Sequence, residues 1–548
     1  MAADNSTASV RQHADEQTPL LTEQPTENGN IGQQPNDEDG VPLAEEPSTA
    51  KLAVILGSCW IGVFLAAMDT TIVATLSASI STSFDSFTLL SWLASAYLIA
   101  NAAVQPLSGR LTDIFSRRTG LLWSNIFFLA GNLLCGLAQS EWQIIAGRVV
   151  AGIGGGCLNT ISTFVASDMV PLRRRGVWQG FGNIAFGLGS GIGGVFGGWI
   201  NDVWDWRWAF LIQVPLILVS GIVVFFVVDI PVKEDDRSKL RRVDFLGSIL
   251  LVTSLVLLLL GLNSGGNNVP WSHPLVTVSL PLSAAFLAAF VYVEDQVASE
   301  PVIPVRLLLE RTVAAACLTN WFSSMAYFGF LYYGPIFFQV QGYSAAAAGA
   351  RLIPSSIGAS IGSLGSGLIM KATGKYYLLM LGVMTSLIGA SALLVAFMTF
   401  GVQDWLPFII FFAAGLGYGG MLTITLLALI SAVDHKFQAV ITSASYAFRS
   451  TGSTIGITIS SAVFQNVLTS KLWASLGNEK HAADLIKKIR DSLGYLRTLP
   501  HVQQEKALEA YLGSLQGVWV TVLGLCILST ICGLCMRENV LHSNLARK

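Results

Sequence analysis

Charged side chains are scarce in this sequence. Asp, Glu, Lys and Arg make up 12% of its 548 residues, about half of their usual share in a soluble domain. Hydrophobic residues make up 52%, so most of the chain is expected to lie in lipid. The net charge is -2, and this lack of a basic excess argues against a nucleic-acid partner.

Cysteine pairs, metal-ligand clusters and cofactor loops are also lacking. All seven cysteines fall inside apolar stretches, and an odd number placed in this way does not form a disulfide framework. Cys532 and Cys535 form C-x-x-C without a neighbouring His, which does not predict a metal site. The glycine run at 152–156 lacks the Gly-Lys-Ser/Thr of a phosphate loop. No nucleophile stands with its base, so we expect no cofactor, no metal and no enzymatic activity.

Long apolar runs, in contrast, recur along the chain. A membrane-spanning helix needs about 20 apolar residues. The sequence predicts fourteen such spans, which begin near Leu52, Leu89, Thr119, Gln143, Gly176, Ala209, Phe245, Leu275, Thr312, Ala345, Tyr377, Trp405, Ala439 and Leu515. The polar stretch 1–50 is expected to be a disordered tail. Because Lys and Arg concentrate in the loops on the N-terminal side, with Arg207 as the main exception, both termini are predicted to be cytosolic.

Two pairs of segments match one another at similar offsets along the chain. The loop segment 109–118 after the second span corresponds to 367–375 after the tenth, and segment 151–160 of the fourth span corresponds to 414–423 of the twelfth. The match predicts two parallel halves. The expected domains are a cytosolic tail at 1–50, an N-terminal six-helix bundle at 51–230, a two-helix insert and linker at 231–311, a C-terminal six-helix bundle at 312–536 with a lumenal loop at 470–513, and a cytosolic tail at 537–548.

At these segments the sequence resembles the major facilitator superfamily, in particular its fourteen-span branch of proton-coupled antiporters. Its loop signature G-x-L-x-D-x-x-G-R-R is matched by Gly109, Leu111, Asp113, Arg117 and Arg118, with Ser116 in place of a glycine. Its fourth-span signature is matched by Arg148 and Gly152, and its fifth-span antiporter motif by Gly189, Gly193, Gly197 and Gly198. The resemblance implies an all-α membrane fold of 6+2+6 transmembrane helices in two pseudo-symmetric halves.

The loop signature predicts a gate. Asp113 and the arginines Arg117 and Arg118 can hold a helix end in one transporter state and release it in another. The alternative is that the arginines only obey the positive-inside rule. The fifth-span glycines are expected to allow close helix approach, although generic packing is the alternative. Gly194 replaces the motif's proline, so the usual helix kink is in doubt there.

Three ionisable residues fall at membrane depth, where such residues are costly and usually functional. Asp69 lies about 17 residues from the cytosolic start of the first span, and Arg148 enters the fourth span from the opposite side. We expect them to lie at a similar depth and to pair, so that a proton or a cationic substrate competes with the pairing. A static ion pair is the alternative. Arg449 in span thirteen is predicted to be either a cavity residue or a structural one.

Span nine is rich in aromatic residues, which in the family line the central cavity. The cavity candidates are Trp321, Tyr327, Tyr332 and Tyr333. Aromatic rings can stack on cations, but about half of the rings in this span are expected to face lipid instead.

The N-terminal tail contains an acidic dileucine pattern made of Glu16, Leu20 and Leu21, which predicts a sorting adaptor as partner. With the Asp69 motif and the stretch at 167–180, it makes the chain similar to fungal vacuolar basic amino acid transporters. The expected function is proton-driven antiport of basic amino acids across the vacuolar membrane, with cationic amino acids, protons and the bilayer as partners. The alternatives are a plasma-membrane exporter of amphipathic drugs and a transport-inactive receptor or scaffold.

Overall fold

The computed structural model describes residues 48–84, 87–229, 244–265, 269–297, 305–343, 345–398, 403, 405–434, 437–477, 479, 482–491 and 499–539. Eighteen α-helices make up the regular structure of these residues. The first nine are α1 (Thr49–Ser83), α2 (Phe87–Phe115), α3 (Arg117–Gly136), α4 (Glu141–Met169), α5 (Leu172–Val203), α6 (Trp206–Leu211), α7 (Gln213–Val227), α8 (Phe245–Ser264) and α9 (Pro274–Gln296). The others are α10 (Val305–Leu308), α11 (Arg311–Val340), α12 (Ala345–Ala350), α13 (Ile353–Thr373), α14 (Tyr377–Phe397), α15 (Leu406–Ser431), α16 (Gln438–Leu476), α17 (Ala482–Asp491) and α18 (His501–Leu534).

The long helices follow the predicted spans. Thirteen of the fourteen predicted starts lie within four residues of an observed helix start, with α6 and α7 together forming the sixth span and α12 and α13 the tenth. Within the described ranges, ten helical segments are long and apolar enough to cross a membrane. The long helices α2, α5, α11 and α16, which carry more glycine and polar residues, are not among the ten. The chain is therefore a multi-span helical membrane protein, and the total of fourteen crossings stays a prediction.

One predicted start differs from the structure, and one predicted span is interrupted. The tenth span begins near Ala345 as expected, with the short helix α12, but it breaks before the long helix α13, which starts at Ile353 next to Pro354. Proline is better tolerated in the first turn of a helix than in its interior, which is consistent with a break at this point. The last span was expected near Leu515, but α18 begins at His501. Its first turns carry charged residues, which a search for apolar runs does not recognise.

Most of the long helices pack into two hydrophobic cores. One core is built almost wholly from α1 to α7, with Leu56, Phe128 and Phe164 among its fully buried members. The other is built mainly from α11 to α18 and includes Phe411 and Trp519. The helices α8 and α9 form a separate hairpin in which the hydroxyls of Ser254 and Ser283 each donate to the other's carbonyl oxygen, at 3.1 and 2.9 Å. The assignment of domain boundaries between these groups stays a prediction.

The two cores meet along α5 with α13 and along α2 with α16. The α5–α13 contact is close enough that a Cβ on Gly180 would lie 2.7 Å from the Cα of Leu364. In the α2–α16 contact, Ser443 Oγ donates to the carbonyl oxygen of Pro106 at 3.1 Å. Gly180 and Pro106 lie in the halves of their helices nearest the predicted cytosolic end. That end of the bundle is therefore closed in this structure.

A candidate coupling and substrate site

Asp69 and Arg148 form an ion pair in the interior of the N-terminal helices. Arg148 Nη1 lies 2.6 Å from Asp69 Oδ2, and the side chains are 1% and 0% exposed. Asp69 is 20 residues from the start of α1, slightly beyond its middle, and Arg148 is seven residues from the start of α4. The structure thus brings together the two charges that the sequence placed at a common depth. Their part in proton coupling stays a prediction.

The two partners differ in how well their polar atoms are satisfied. Arg148 Nε also donates to the carbonyl oxygen of Leu93 at 3.1 Å, and its guanidinium lies 4.4 Å from the ring centroid of Tyr97. Among the described residues, no donor lies within hydrogen-bond distance of Asp69 Oδ1. A buried acceptor without a donor is costly. A proton can therefore bind at Oδ1 without first displacing Arg148.

The glycines of the antiporter motif place α5 against the helix that carries Asp69. A Cβ on Gly193 would collide with the carbonyl oxygen of Met68 and the hydroxyl of Thr71, on either side of Asp69. Gly189 approaches the carbonyl oxygen of Phe64 in the same way, and the remaining motif positions, Gly197 and Gly198, lie against Ile72 and Thr75. α5 continues as one helix through Gly194, where the motif has proline. These positions give α1 a close contact with α5 in addition to the ion pair with α4.

The C-terminal half has an aromatic contact at the corresponding position. Arg148 stands three residues before the segment at 151–160, and Phe411 stands three residues before the matching segment at 414–423. Phe411 of α15 packs against Phe330 of α11, with ring centroids 4.8 Å apart at 75°. The repeat thus preserves a contact between equivalent helices while its chemistry differs.

The gating loop is organised around Arg117. Its Nη2 lies 2.7 Å from Asp113 Oδ1, its Nε lies 2.8 Å from Asp168 Oδ2 at the end of α4, and its Nη1 donates to Thr112 Oγ1 at 2.6 Å. Asp168, which the family signature did not include, thus belongs to the same cluster of ion pairs. Arg118 instead places its guanidinium 4.4 Å from the ring centroid of Phe225. Arg117 thus connects the ends of α2, α3 and α4 to one another.

Ser116, between α2 and α3, has a backbone conformation that favours glycine. Its φ and ψ are 140° and 157°, a region almost restricted to glycine. Its hydroxyl caps α3 by accepting from the backbone N–H of Thr119 at 3.1 Å. The serine therefore provides an N-cap for α3 at a position where the family signature has glycine.

The same end of the bundle carries contacts between the two halves. A Cβ on Gly109 would lie 2.8 Å from Ser443 Oγ, so glycine permits α2 to approach α16 here. Arg175 Nη1 donates to Gln438 Oε1 at 2.9 Å, and its Nε donates to the carbonyl oxygen of Val170 at 2.7 Å. The predicted gate therefore includes a hydrogen bond from a charged guanidinium to a neutral amide across the halves, as well as ion pairs within one half.

Two small polar pockets lie deeper in the bundle. The first is lined by Gln179, Asn183, Asn320, Leu422, Leu426, Ser445, Tyr446 and Arg449, from α5, α11, α15 and α16. The second is lined by Trp60, Val63, Asn159, Ser162, Thr163, Ala166, Trp178, Gln179, Gly182 and Asn183, from α1, α4 and α5. Gln179 and Asn183 belong to both, so the pockets adjoin each other.

A hydrogen-bonded network joins the halves around these pockets. Asn183 Nδ2 donates to Ser363 Oγ of α13 at 2.7 Å, and the hydroxyls of Thr163 and Tyr446 are 2.6 Å apart. The second pocket also has an aromatic wall, in which the ring centroids of Trp60 and Trp178 lie 6.2 Å apart. Sequence analysis missed all of these residues as site candidates. The available signal was the presence of uncharged amides at membrane depth.

Of the predicted cavity residues, Arg449 lines the first of these two pockets. Tyr327 stacks on Tyr418 at 3.9 Å between centroids, and Tyr333 packs against Phe464. Tyr332 is 40% exposed, and Trp321 packs edge-on against Phe448 at 6.5 Å. A cavity role for these four aromatic residues stays a prediction. The sorting residues Glu16, Leu20 and Leu21 lie outside the described residues.

Comparison with known proteins identifies the family. Residues 59–457 match the family model described as Major Facilitator Superfamily. The chain belongs to this superfamily. As a major facilitator, it is a transporter rather than an enzyme. The solved structure of the human organic anion transporter MFSD10 has the same fold, with a TM-score of 0.60, 13% identity, and coverage of 89% of this chain and 100% of that one.

Three curated major facilitators show how the relatives divide. Multidrug resistance protein fnx1 of Schizosaccharomyces pombe is 38% identical over 90% of this chain and 94% of its own length. Vacuolar membrane amino acid uptake transporter fnx2 of the same organism is 37% identical over 90% of this chain and 85% of its own length. Vacuolar basic amino acid transporter 2 of Saccharomyces cerevisiae is 34% identical over 78% of this chain and 90% of its own length. Their names include both amino acid and drug transport.

Proposed function

We propose that this chain is a proton-coupled antiporter that moves basic amino acids from the cytosol into the vacuole. The observation that carries the proposal is the buried Asp69–Arg148 pair, with one carboxylate oxygen bonded to the arginine and the other without a donor among the described residues. Ionisable residues inside a membrane protein are costly and usually belong to a transport or proton pathway. The names of the vacuolar relatives support the substrate class and the membrane.

Coupling between proton and substrate follows from the position of α1. Protonation at Oδ1 neutralises Asp69 and weakens its attraction for Arg148, so α1 is less firmly held against α4. Trp60 and Val63, on the same helix, line the second pocket. Asp69 itself lines neither pocket, so proton and substrate exclude one another through a shift of α1 rather than by touching.

The second candidate function is efflux of amphipathic drugs at the plasma membrane. It is favoured by the similarity to fnx1 and by the aromatic wall of Trp60, Trp178 and Phe181, whose ring centroids lie 6.1 to 6.2 Å apart. Apolar bodies and cations both bind well to such a wall.

Uptake into isolated vacuolar vesicles tests the proposal. Vesicles from cells that express the chain are energised with ATP and supplied with labelled lysine, arginine, histidine or tetraphenylphosphonium. We expect the basic amino acids to accumulate above the level of vesicles without the chain, and a protonophore to abolish the difference. Accumulation of tetraphenylphosphonium alone would establish the drug-efflux alternative. Absence of flux for every probe, from a protein shown to be present, would favour a receptor or scaffold.

A further inference from the structure

The first pocket contains a cation that has no counter-ion in the described part of the chain. Arg449 of α16 places its guanidinium 4.1 Å from the ring centroid of Tyr446. Among the described residues, no carboxylate forms an ion pair with it, whereas Arg117 and Arg148 each have carboxylate partners. An arginine at this depth is costly unless an anion balances it. The face of a tyrosine ring offsets only part of that cost.

The same pocket contains an acceptor without a donor. Asn320 of α11 is 5% exposed, and its Nδ2 donates to Ser445 Oγ at 3.0 Å and toward the carbonyl oxygen of Ser445 at 3.4 Å. A carbonyl can only accept, so the amide nitrogen must face it and Oδ1 must face away. Among the described residues, no donor lies within hydrogen-bond distance of Asn320 Oδ1. The pocket therefore presents an unbalanced positive charge and an unused acceptor.

We propose that this pocket binds the head group of an α-amino acid, with the carboxylate on the Arg449 guanidinium and the α-ammonium donating to Asn320 Oδ1. A planar guanidinium matches a carboxylate through two parallel hydrogen bonds. An ammonium is a strong donor that satisfies the buried amide oxygen. The assignment rests on the proposed function, which names amino acids as substrates, and adds the group by which the C-terminal half recognises them.

The adjoining pocket takes the substrate's basic side chain. It shares Gln179 and Asn183 with the first pocket, and Trp60 and Trp178 line it. Tryptophan faces attract cations, so a lysine or arginine side chain that extends from the head group reaches a favourable surface. An organic cation without a carboxylate fills only this second pocket and leaves Arg449 unbalanced, which favours amino acids over such cations.

Three competitors of labelled lysine uptake test the head-group assignment in the wild-type protein. Unlabelled lysine carries all three charged groups, cadaverine lacks the carboxylate, and 6-aminohexanoate lacks the α-ammonium. We expect cadaverine and 6-aminohexanoate to compete roughly tenfold to a hundredfold more weakly than lysine, the range for a lost hydrogen bond to a charged group. If lysine is transported but cadaverine competes equally, the assignment is wrong and the proposed function stands. If no amino acid is transported, the proposed function itself fails.

Substitutions assign the two groups separately. Arg449→Gln should raise the KM for lysine by roughly tenfold to a hundredfold and abolish the discrimination against cadaverine. Arg449→Lys keeps the charge and should restore part of the discrimination against cadaverine. Asn320→Leu should abolish discrimination against 6-aminohexanoate only. Arg351→Gln is the matched control, because Arg351 also stacks on a tyrosine, Tyr343 at 3.7 Å, but lines neither pocket. A wild-type KM and wild-type competitor ranking in Arg449→Gln would show that Arg449 only packs on Tyr446.

Discussion

The carboxyl of Asp69 has two oxygens in different surroundings. Oδ2 receives the charged hydrogen bond of Arg148 at 2.6 Å, while Oδ1 is buried without a donor among the described residues. Arg148 also has contacts with Leu93 and Tyr97, which do not involve the acid. A single proton therefore changes the attraction between α1 and α4 while the arginine retains part of its environment.

Asp69→Asn should abolish uptake driven by a pH gradient while the packing around position 69 survives. Asparagine has nearly the same volume and can still accept from Arg148, but it cannot exchange the proton. Asp205→Asn is the control. Asp205 forms an exposed pair with Arg207 at 3.3 Å and caps α6, a task that asparagine also performs. Uptake is measured in reconstituted vesicles. If Asp69→Asn accumulates lysine to the wild-type level and with the wild-type pH dependence, Asp69 carries no coupled proton.

Adding Arg148→Gln to Asp69→Asn should recover abundance but not uptake. Loss of one partner of a buried pair costs about 3 to 5 kcal/mol, because the other charge stays buried without compensation. Removing the second charge removes that penalty, whereas the proton site stays lost. Abundance by immunoblot and uptake in vesicles are measured for both single variants and the double variant. Recovery of pH-driven uptake in the double variant would contradict a coupling role for Asp69.

Ser116→Gly should raise thermal stability. The observed φ of 140° costs a residue other than glycine about 1 to 3 kcal/mol, whereas replacing a capping serine by glycine costs only a few tenths of a kcal/mol. Ser140→Gly is the matched control, because Ser140 caps α4 in the same way with a φ of -140°. The melting temperature in detergent is measured for both. Equal decreases in the two variants would show that no strain is relieved at Ser116.

The site could be predicted from the sequence only where it is charged. Asp69 and Arg148 were recognisable because charges at membrane depth are rare, and a helix rise of about 1.5 Å per residue placed them at one level. Gln179, Asn183 and Asn320 were not recognisable, because an amide carries no charge and is tolerated on a helix face within a bundle. Their convergence depends on how α5 and α11 are rotated about their axes, which a hydropathy pattern does not determine.

At the scale of the helices, the predicted gate is a set of three helix ends that contact one side chain. Arg117 connects Asp113 of α2 with Asp168 of α4, and its own position begins α3. Its side chain is 8% exposed and those of the two acids are 23% and 22% exposed, so the pairs are screened less than those on an open surface. Release of these contacts frees all three ends together.

Asp113→Ala should slow transport strongly while abundance stays nearly normal. Arg117 keeps Asp168 in the variant, so the fold retains one anion against the cation, but the closed state loses part of its stabilisation. Asp295→Ala is the control, because Asp295 also pairs with an arginine, Arg306 at 2.8 Å, outside the gate. Equal losses of uptake and abundance would favour a purely structural role, and unchanged uptake would show that Asp113 does not contribute to the gate.

Helix positions followed from the sequence wherever a span is a plain apolar run. α8 and α14 begin at the predicted residues, because lipid requires about 20 apolar residues in a helix. The early start of α18 at His501 was missed because its first turns carry Glu505, Lys506 and Glu509 among apolar residues. Such an amphipathic turn is helical through its contacts with other helices, here Tyr511 with Ile489 near α17.

At the scale of the whole molecule, the tail and the bundle are expected to have separate tasks. Leu20→Ala with Leu21→Ala should redirect the protein to the cell surface, because the acidic dileucine pattern is the predicted adaptor signal. Uptake by the redirected protein should stay intact, since the change lies in the predicted tail and not in the described helices. Microscopy of a fluorescent fusion measures the location, and Leu43→Ala, nearer the first helix, is the control. A fusion that stays wholly vacuolar after both changes would contradict the sorting prediction.

The two halves of the bundle differ in the chemistry of one equivalent contact. In the N-terminal half, α1 meets α4 through a carboxylate and a guanidinium, whereas in the C-terminal half α11 meets α15 through Phe330 and Phe411. A carboxylate can take up a proton, and a phenyl ring cannot. If Asp69 carries the coupled proton, as proposed, acid acts directly on the N-terminal half alone at this contact.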